Sequence, residues 1–211
     1  MLLKRRSPQV EADQPAEPSP GFEHLDRGVL ATLCWLRDHK VEFVLTGSVA
    51  GSIHTRSPTR AAVAIVPAPY GRNLERLARG LTAAKARVHN AEPVIDPVDV
   101  APVKVELLSG TEVLTFAWDT QRLDVVGTGA PAASGASGAS GYQELLYETG
   151  RFELSPGLTV EVASPEDIEH FAHLRNTGTA PQIKISRRAA APPADTGQAP
   201  KVAPGHDSLP G

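Results

Sequence analysis

The chain has 211 residues, with 21 Lys and Arg against 24 Asp and Glu and a formal net charge of -3. That balance lacks the basic excess that grips nucleic acid or an anionic membrane surface. A lone cysteine, Cys34, excludes an internal disulfide framework and any cysteine-based zinc cluster.

Taken in chain order, residues 1–21 open a proline-rich segment poor in aromatic and β-branched residues. Its counterpart is 177–211, and together they hold 10 of the 19 prolines. Such composition buries too little surface to offset chain entropy, so both tails are expected to be disordered. Between them, 22–176 has the size of a common single domain. Leu25, Val29, Leu33 and Leu36 recur at helical spacing and predict a helix over 22–38, with Cys34 a small buried hydrophobe on it. A short apolar run, Val41 to Thr46, predicts a buried strand, and 48–54 a helix directly after Gly47-Ser48. Ala61 to Val66 predicts a second strand closed by Pro67. Leu74, Leu77, Ala78 and Leu81 predict a helix opening near Arg72.

Val113 to Ala117 and Arg122 to Val126 predict a hairpin turning at Asp119 to Gln121. The Gly/Ser/Ala run from Gly127 to Gly141 has the composition of a flexible coil. Tyr142 to Glu148 predicts a helix and Leu158 to Ala163 a strand. The last helix is marked by Ser164 as cap, Pro165 at the first helical position and Asp167 completing an S-x-x-D box. Helices alternating with short strands predict an α/β fold, a mixed sheet flanked by helices. The start, Met1 to Arg6, lacks the apolar run of a signal peptide, and no stretch reaches membrane-spanning length. A cytoplasmic protein with no membrane partner is the expectation.

Chemistry concentrates between Phe43 and Arg60. A strand ending at Gly47-Ser48 with a helix beginning there points free amides and the positive helix end at whatever lies above. Such junctions also turn the chain with no ligand at all. The layout that follows is more specific. Strand, Gly47-Ser48, a helix reaching His54, a basic turn and a strand ending Ala64-Ile65-Val66-Pro67 resembles the nucleotidyltransferase superfamily. It is most similar to the minimal nucleotidyltransferases, including those of toxin–antitoxin and abortive-infection pairs. Asn73-Leu74-Glu75-Arg76-Leu77, Leu123-Asp124-Val125-Val126, Tyr142-Gln143-Glu144-Leu145 and Val162-Ala163-Ser164-Pro165-Glu166-Asp167-Ile168 extend the resemblance over roughly Leu25 to Leu174. It implies triphosphate binding at the Gly-Ser junction, an Asp-x-Asp metal pair on the next strand, and a third carboxylate at Asp124.

The metal pair is missing. Its positions fall on Ala62 and Ala64, and no Asp or Glu occurs between Glu42 and Glu75. Two carboxylates spaced i, i+2 on a strand share a face and can chelate magnesium; two methyl groups cannot. Losing a phosphate-bridging metal removes several kcal/mol of transition-state stabilisation, about a thousandfold in rate for roughly 4 kcal/mol. The expectation is therefore a catalytically degenerate nucleotidyltransferase fold with no metal or cofactor, acting as a nucleotide-binding or regulatory protein-interaction module. The charged residues left in the stretch are Arg56, Arg60 and Arg72. They suggest a metal-independent nucleotide or phosphate site at Gly47, Ser48, Arg56 and Arg60, because guanidinium groups hold phosphate oxygens in pairs. A solvated basic turn explains them equally simply. The alternative is an active enzyme transferring NMP from a magnesium-bound NTP to a protein or small molecule, with carboxylates recruited from Asp119, Glu112 or a partner chain.

Other groups carry weaker signals. His170 and His173 have i, i+3 spacing but read as a surface pair, and Arg175 is a candidate for the family's late basic residue. Asp96, Asp99 and Asp119 fit turn chemistry, and Trp35 and Trp118 fit packing. Ser48, His54 and Asp124 lack the Gly-x-Ser-x-Gly elbow of a hydrolase triad. Lys184, Arg187 and Arg188 are too few to signal nucleic-acid binding.

Overall fold

The computed structural model describes residues 17–89 and 102–179. Most of both tails, Asp96, Asp99, Lys184, Arg187 and Arg188 lie outside the described residues. Where the N-terminal segment is described it runs beside the sheet, Ser19 N donating to Leu154 O at 2.8 Å.

Helix α1 spans Arg27–Asp38. The Asp26 carboxylate accepts from Gly28 N at 2.7 Å and sets its start, so the residues from Phe22, predicted to be helical, form turns instead. Strand β1 (Phe43–Thr46) runs into α2 (Gly47–Thr55), followed by β2 (Val63–Pro67) and α3 (Gly71–Ala83). Ala62 therefore lies just before β2 rather than within it. Two short elements come next, β3 (Arg87–Val88) and α4 (Val105–Leu108). The hairpin β4 (Val113–Trp118) and β5 (Gln121–Val126) turns where predicted, with Asp119 in the left-handed region at φ 48°. Helix α5 is Gly138–Tyr147, β6 Gly150–Ser155, β7 Leu158–Val162 and α6 Pro165–Thr177. Ser164 Oγ accepts from Asp167 N at 3.2 Å, the cap expected at α6.

All strands join one mixed sheet in the order β3-β4-β5-β2-β1-β7-β6, with β2/β5 and β1/β7 parallel and the other pairs antiparallel. The protein is an α/β fold with helices packed against this sheet. One apolar layer joins Leu33 and Leu36 of α1 and Leu77 and Leu81 of α3 to Leu45, Ile65 and Leu123 of the sheet. The other buries Val44, Val66 and Val126 under Tyr142 and Leu145 of α5 and Phe171 and Leu174 of α6. Period-two alternation puts Ala64 and Asp124 on this second face, in line with Val66 and Val126. Asn73 latches α3 to the sheet: its side chain accepts from Glu42 N and donates to Glu42 O and Ala68 O, all within 3.0 Å.

The Gly/Ser/Ala run departs from a plain coil. Gly138 to Gly141 is the first turn of α5, and before it Gly127 N, Thr128 N and Gly129 N donate to Glu112 O, Leu108 O and Gly110 O. A Cβ at Gly127 would lie 2.2 Å from Gly110 O, so only glycine fits this close crossing of two backbones. Among the described residues no helix is long and apolar enough to cross a membrane.

Tyr142, sealed in the second layer, gives a pH prediction. Burial, reinforced by Glu42, Tyr70 and Glu161, pushes its phenol from near 10 up to about 12. The folded state thus holds a proton that the unfolded chain releases earlier. The stability linked to this group is complete below pH 10 and drains away between pH 10 and 12. Urea denaturation at rising pH should show a smaller alkaline loss for Tyr142→Phe than for the parent; equal losses would refute the assignment.

Candidate functional site

Strand register builds the site. Thr46 of β1 pairs with Ala64 of β2, Ala64 with Asp124 of β5, and Asp124 with Thr115 of β4. These side chains form one row across four strands and share a face. The row ends at the start of α2, where Gly47 has φ 69° and a Cβ would sit 2.9 Å from Ala64 Cβ. Ala64 therefore faces the Gly47–Ser48 junction. Positive φ and the approach of Ala64 require glycine at position 47 whether or not a ligand binds. Ser48 is exposed at the first turn of α2. Thr46, the cap residue, makes no side-chain cap bond, and its hydroxyl is buried with no partner among the described residues. Leaving such a group unpaired costs about 1–3 kcal/mol.

Asp124 is 1% exposed, and both its oxygens are engaged. Oδ1 accepts from Thr115 Oγ1 at 2.7 Å. Oδ2 lies 3.0 Å from an Arg175 guanidinium nitrogen but outside hydrogen-bond geometry, so this contact is an ion pair rather than a directed bond. Arg175 is half exposed and reaches down from the last turn of α6, whose Leu174 packs on the same face. Sequence alone does not set the register of Arg175; the fold places it on the one acid of the row.

The other candidates scatter. Arg56 is the left-handed C-cap of α2, eight residues from Ser48 and so roughly 12 Å along the helix. Arg72 opens α3 beyond the far end of β2. Arg60 alone stays at the junction end of the sheet. It lines a cleft of about 230 Å³ with Ala62, Thr32, Asp26, Gln121 and Arg122. Arg122, which immediately precedes the Leu123 paired with Val63, carries no signal in the sequence because its neighbours on β2 are set by strand pairing. Gly47 and Ser48 are not on that cleft's wall. His54 Nε2 donates to Ala163 O at 2.9 Å and stacks edge-on with Phe152, a structural role.

His170 departs from the surface pair expected with His173. It is 4% exposed, and its Nε2 donates to Pro131 O at 2.7 Å, pinning α6 to the loop before α5. No cluster of three or more His, Cys, Asp or Glu able to hold a metal occurs among the described residues. Glu112 and Asp119 lie three and four positions along β4 from Thr115, on opposite sides, so neither sits beside Asp124. Trp35 and Trp118 pack together with ring centroids 4.9 Å apart, and Cys34 is half-buried against the first layer.

In comparisons with known proteins, no protein-family model and no curated sequence matches the chain.

Proposed function

We propose that this protein is a catalytically degenerate member of the nucleotidyltransferase superfamily, acting as a non-catalytic nucleotide- or phosphate-binding module of regulatory character. One observation carries the reading. Where the family resemblance calls for carboxylates beside Asp124, the neighbouring strand offers Ala64, and Asp124 itself is held by Thr115 and Arg175. The residues present do not fit a magnesium ion. Ala64 supplies no oxygen, and both oxygens of Asp124 are engaged inside the protein. A hard divalent cation needs several oxygen ligands to replace its hydration shell. The Arg175 guanidinium supplies the positive charge that this carboxylate would otherwise find in a metal.

Binding without metal is supported at the α2 start. Gly47 and Ser48 open a nine-residue helix with no acidic residue in its first turn, and the Thr46 hydroxyl next to them lacks a protein partner among the described residues. Free amides there favour an anion by about 0.3–1 kcal/mol for an exposed site. Arg60, also expected at this site, lines a separate cleft whose wall excludes Gly47 and Ser48. A millimolar dissociation constant needs about 4 kcal/mol, of which the helix start supplies only part, so affinity no tighter than roughly millimolar is expected.

Two measurements test the reading. Incubation with labelled NTPs, magnesium or manganese and protein acceptors should give no transferred nucleotide; transfer abolished by Asp124→Ala would establish an enzyme instead. Calorimetric titration with ATP and GTP in EDTA should give saturable binding that Ser48→Ala weakens. Absence of heat at about 10 mM nucleotide would remove the binding module.

A further inference from the structure

We propose that the cleft between Arg60 and Arg122 binds the phosphoryl group of a small phosphomonoester. This goes beyond the reading above, because the cleft is walled by neither Gly47 nor Ser48 and needs no nucleotidyltransferase ancestry. Arg60 comes from the segment leading into β2 and Arg122 from β5, and the pairing of Val63 with Leu123 brings both residues to the wall of one cavity. Neither has an acidic partner within ion-pair distance among the described residues, so both charges stay available to a ligand. Gln121 stands on the same wall. Its amide lies 2.9 Å from Thr32 Oγ1, which ties the side chain to α1. The wall therefore carries two arginines and one polar amide side chain.

The one acid on the cleft is already committed. Asp26 Oδ1 accepts from Gly28 N as the cap of α1. Two arginines against one aspartate leave the cleft cationic.

Size and charge choose the ligand class. Small-molecule sites commonly enclose about 300–1,000 Å³. At about 230 Å³ this cleft is short of a whole nucleotide and suits a phosphoryl group with a small substituent. A phosphomonoester carries about -1.5 to -2 charge at neutral pH and three terminal oxygens, enough to engage both arginines. A carboxylate has one charge and two oxygens and satisfies one arginine only.

The test is calorimetric titration of the full chain with inorganic phosphate at low ionic strength, with acetate as the second probe. Saturable phosphate binding is expected, with acetate at least about tenfold weaker. Arg60→Ala and Arg122→Ala should each weaken phosphate about tenfold or more, and the double variant should lose it. Arg122→Lys, which keeps the charge but not the fork, should fall between parent and alanine variant. Arg72→Ala, at the other end of the sheet, should change affinity less than about twofold. Three results would overturn the proposal: no saturable heat at about 10 mM phosphate, acetate binding as tightly as phosphate, or Arg72→Ala weakening phosphate as much as Arg60→Ala. Because the probe is phosphate and the variants spare Gly47 and Ser48, its failure leaves the nucleotide titration to stand or fall separately.

Discussion

Replacing Arg175 with alanine should destabilise the protein by about 2–3 kcal/mol, and Asp124→Asn should recover part of that loss. Asp124 lies at 1% exposure beneath α6, where an unpaired carboxylate keeps its desolvation penalty after its cation is gone. Breaking a fully buried pair costs about 3–5 kcal/mol. Arg175 is itself half exposed and water screens part of its contribution, which places the expected loss below that range. For a domain of this length each kcal/mol moves the melting temperature by roughly 2–4 °C, so Arg175→Ala should melt about 4–12 °C lower. Asparagine at 124 removes the stranded charge while its carbonyl oxygen still accepts from the Thr115 hydroxyl. The double variant Asp124→Asn/Arg175→Ala should therefore be more stable than Arg175→Ala alone. Strictly additive losses in the thermal melts would show that the two side chains do not act as a pair.

The second large effect concerns the methyl groups of the row. Ala64→Asp sets a second carboxylate beside Asp124, at the ordinary strand spacing of about 4.8 Å, on a face where position 64 is only 6% exposed. It also crowds Gly47, whose backbone already approaches Ala64. A cost of about 3–5 kcal/mol is expected in EDTA, the penalty typical of an uncompensated buried charge. Manganese then tells whether Arg175 has taken over the work of a metal. With Arg175 present, Ala62→Asp/Ala64→Asp should show no metal-dependent rise in melting temperature, because Asp124 Oδ2 is already paired. Adding Arg175→Ala frees that oxygen, and metal at about a hundredfold excess over its dissociation constant would then restore about 2.7 kcal/mol. A metal response in Ala62→Asp/Ala64→Asp with Arg175 intact would mean that the guanidinium yields readily, and the idea that Arg175 has taken the place of a metal would fail with it.

The latch at Asn73 shows how a motif can stand out while its role stays hidden. Asn73-Leu74-Glu75-Arg76-Leu77 marks a helix start in the sequence, yet what Asn73 does is bind Glu42 and Ala68 across the ends of β1 and β2. Strand β6 is a different omission, absent from the predicted elements although its pattern is legible. Phe152 and Leu154 alternate with Arg151 and Glu153, a period-two run followed by a turn at Pro156-Gly157. Strand β3 has two residues and α4 four, too short for any periodicity to mark them.

What the residues determine unaided is local. The apolar spacing of α1 and α3, the Ser164 cap of α6, the β4–β5 turn and the lack of acids between Glu42 and Glu75 are properties of neighbours along the chain. Each depends on backbone preference or on the chemistry of a single stretch, and a linear reading recovers it. Tertiary structure alone decided that Thr46, Ala64, Asp124 and Thr115 share a row, that Arg175 descends on Asp124, and that Arg60 and Arg122 line one cleft while Arg56 does not. The physical reason is that strand register and helix docking are settled by burying two apolar layers at once. That collective optimum has no trace in any short window of sequence.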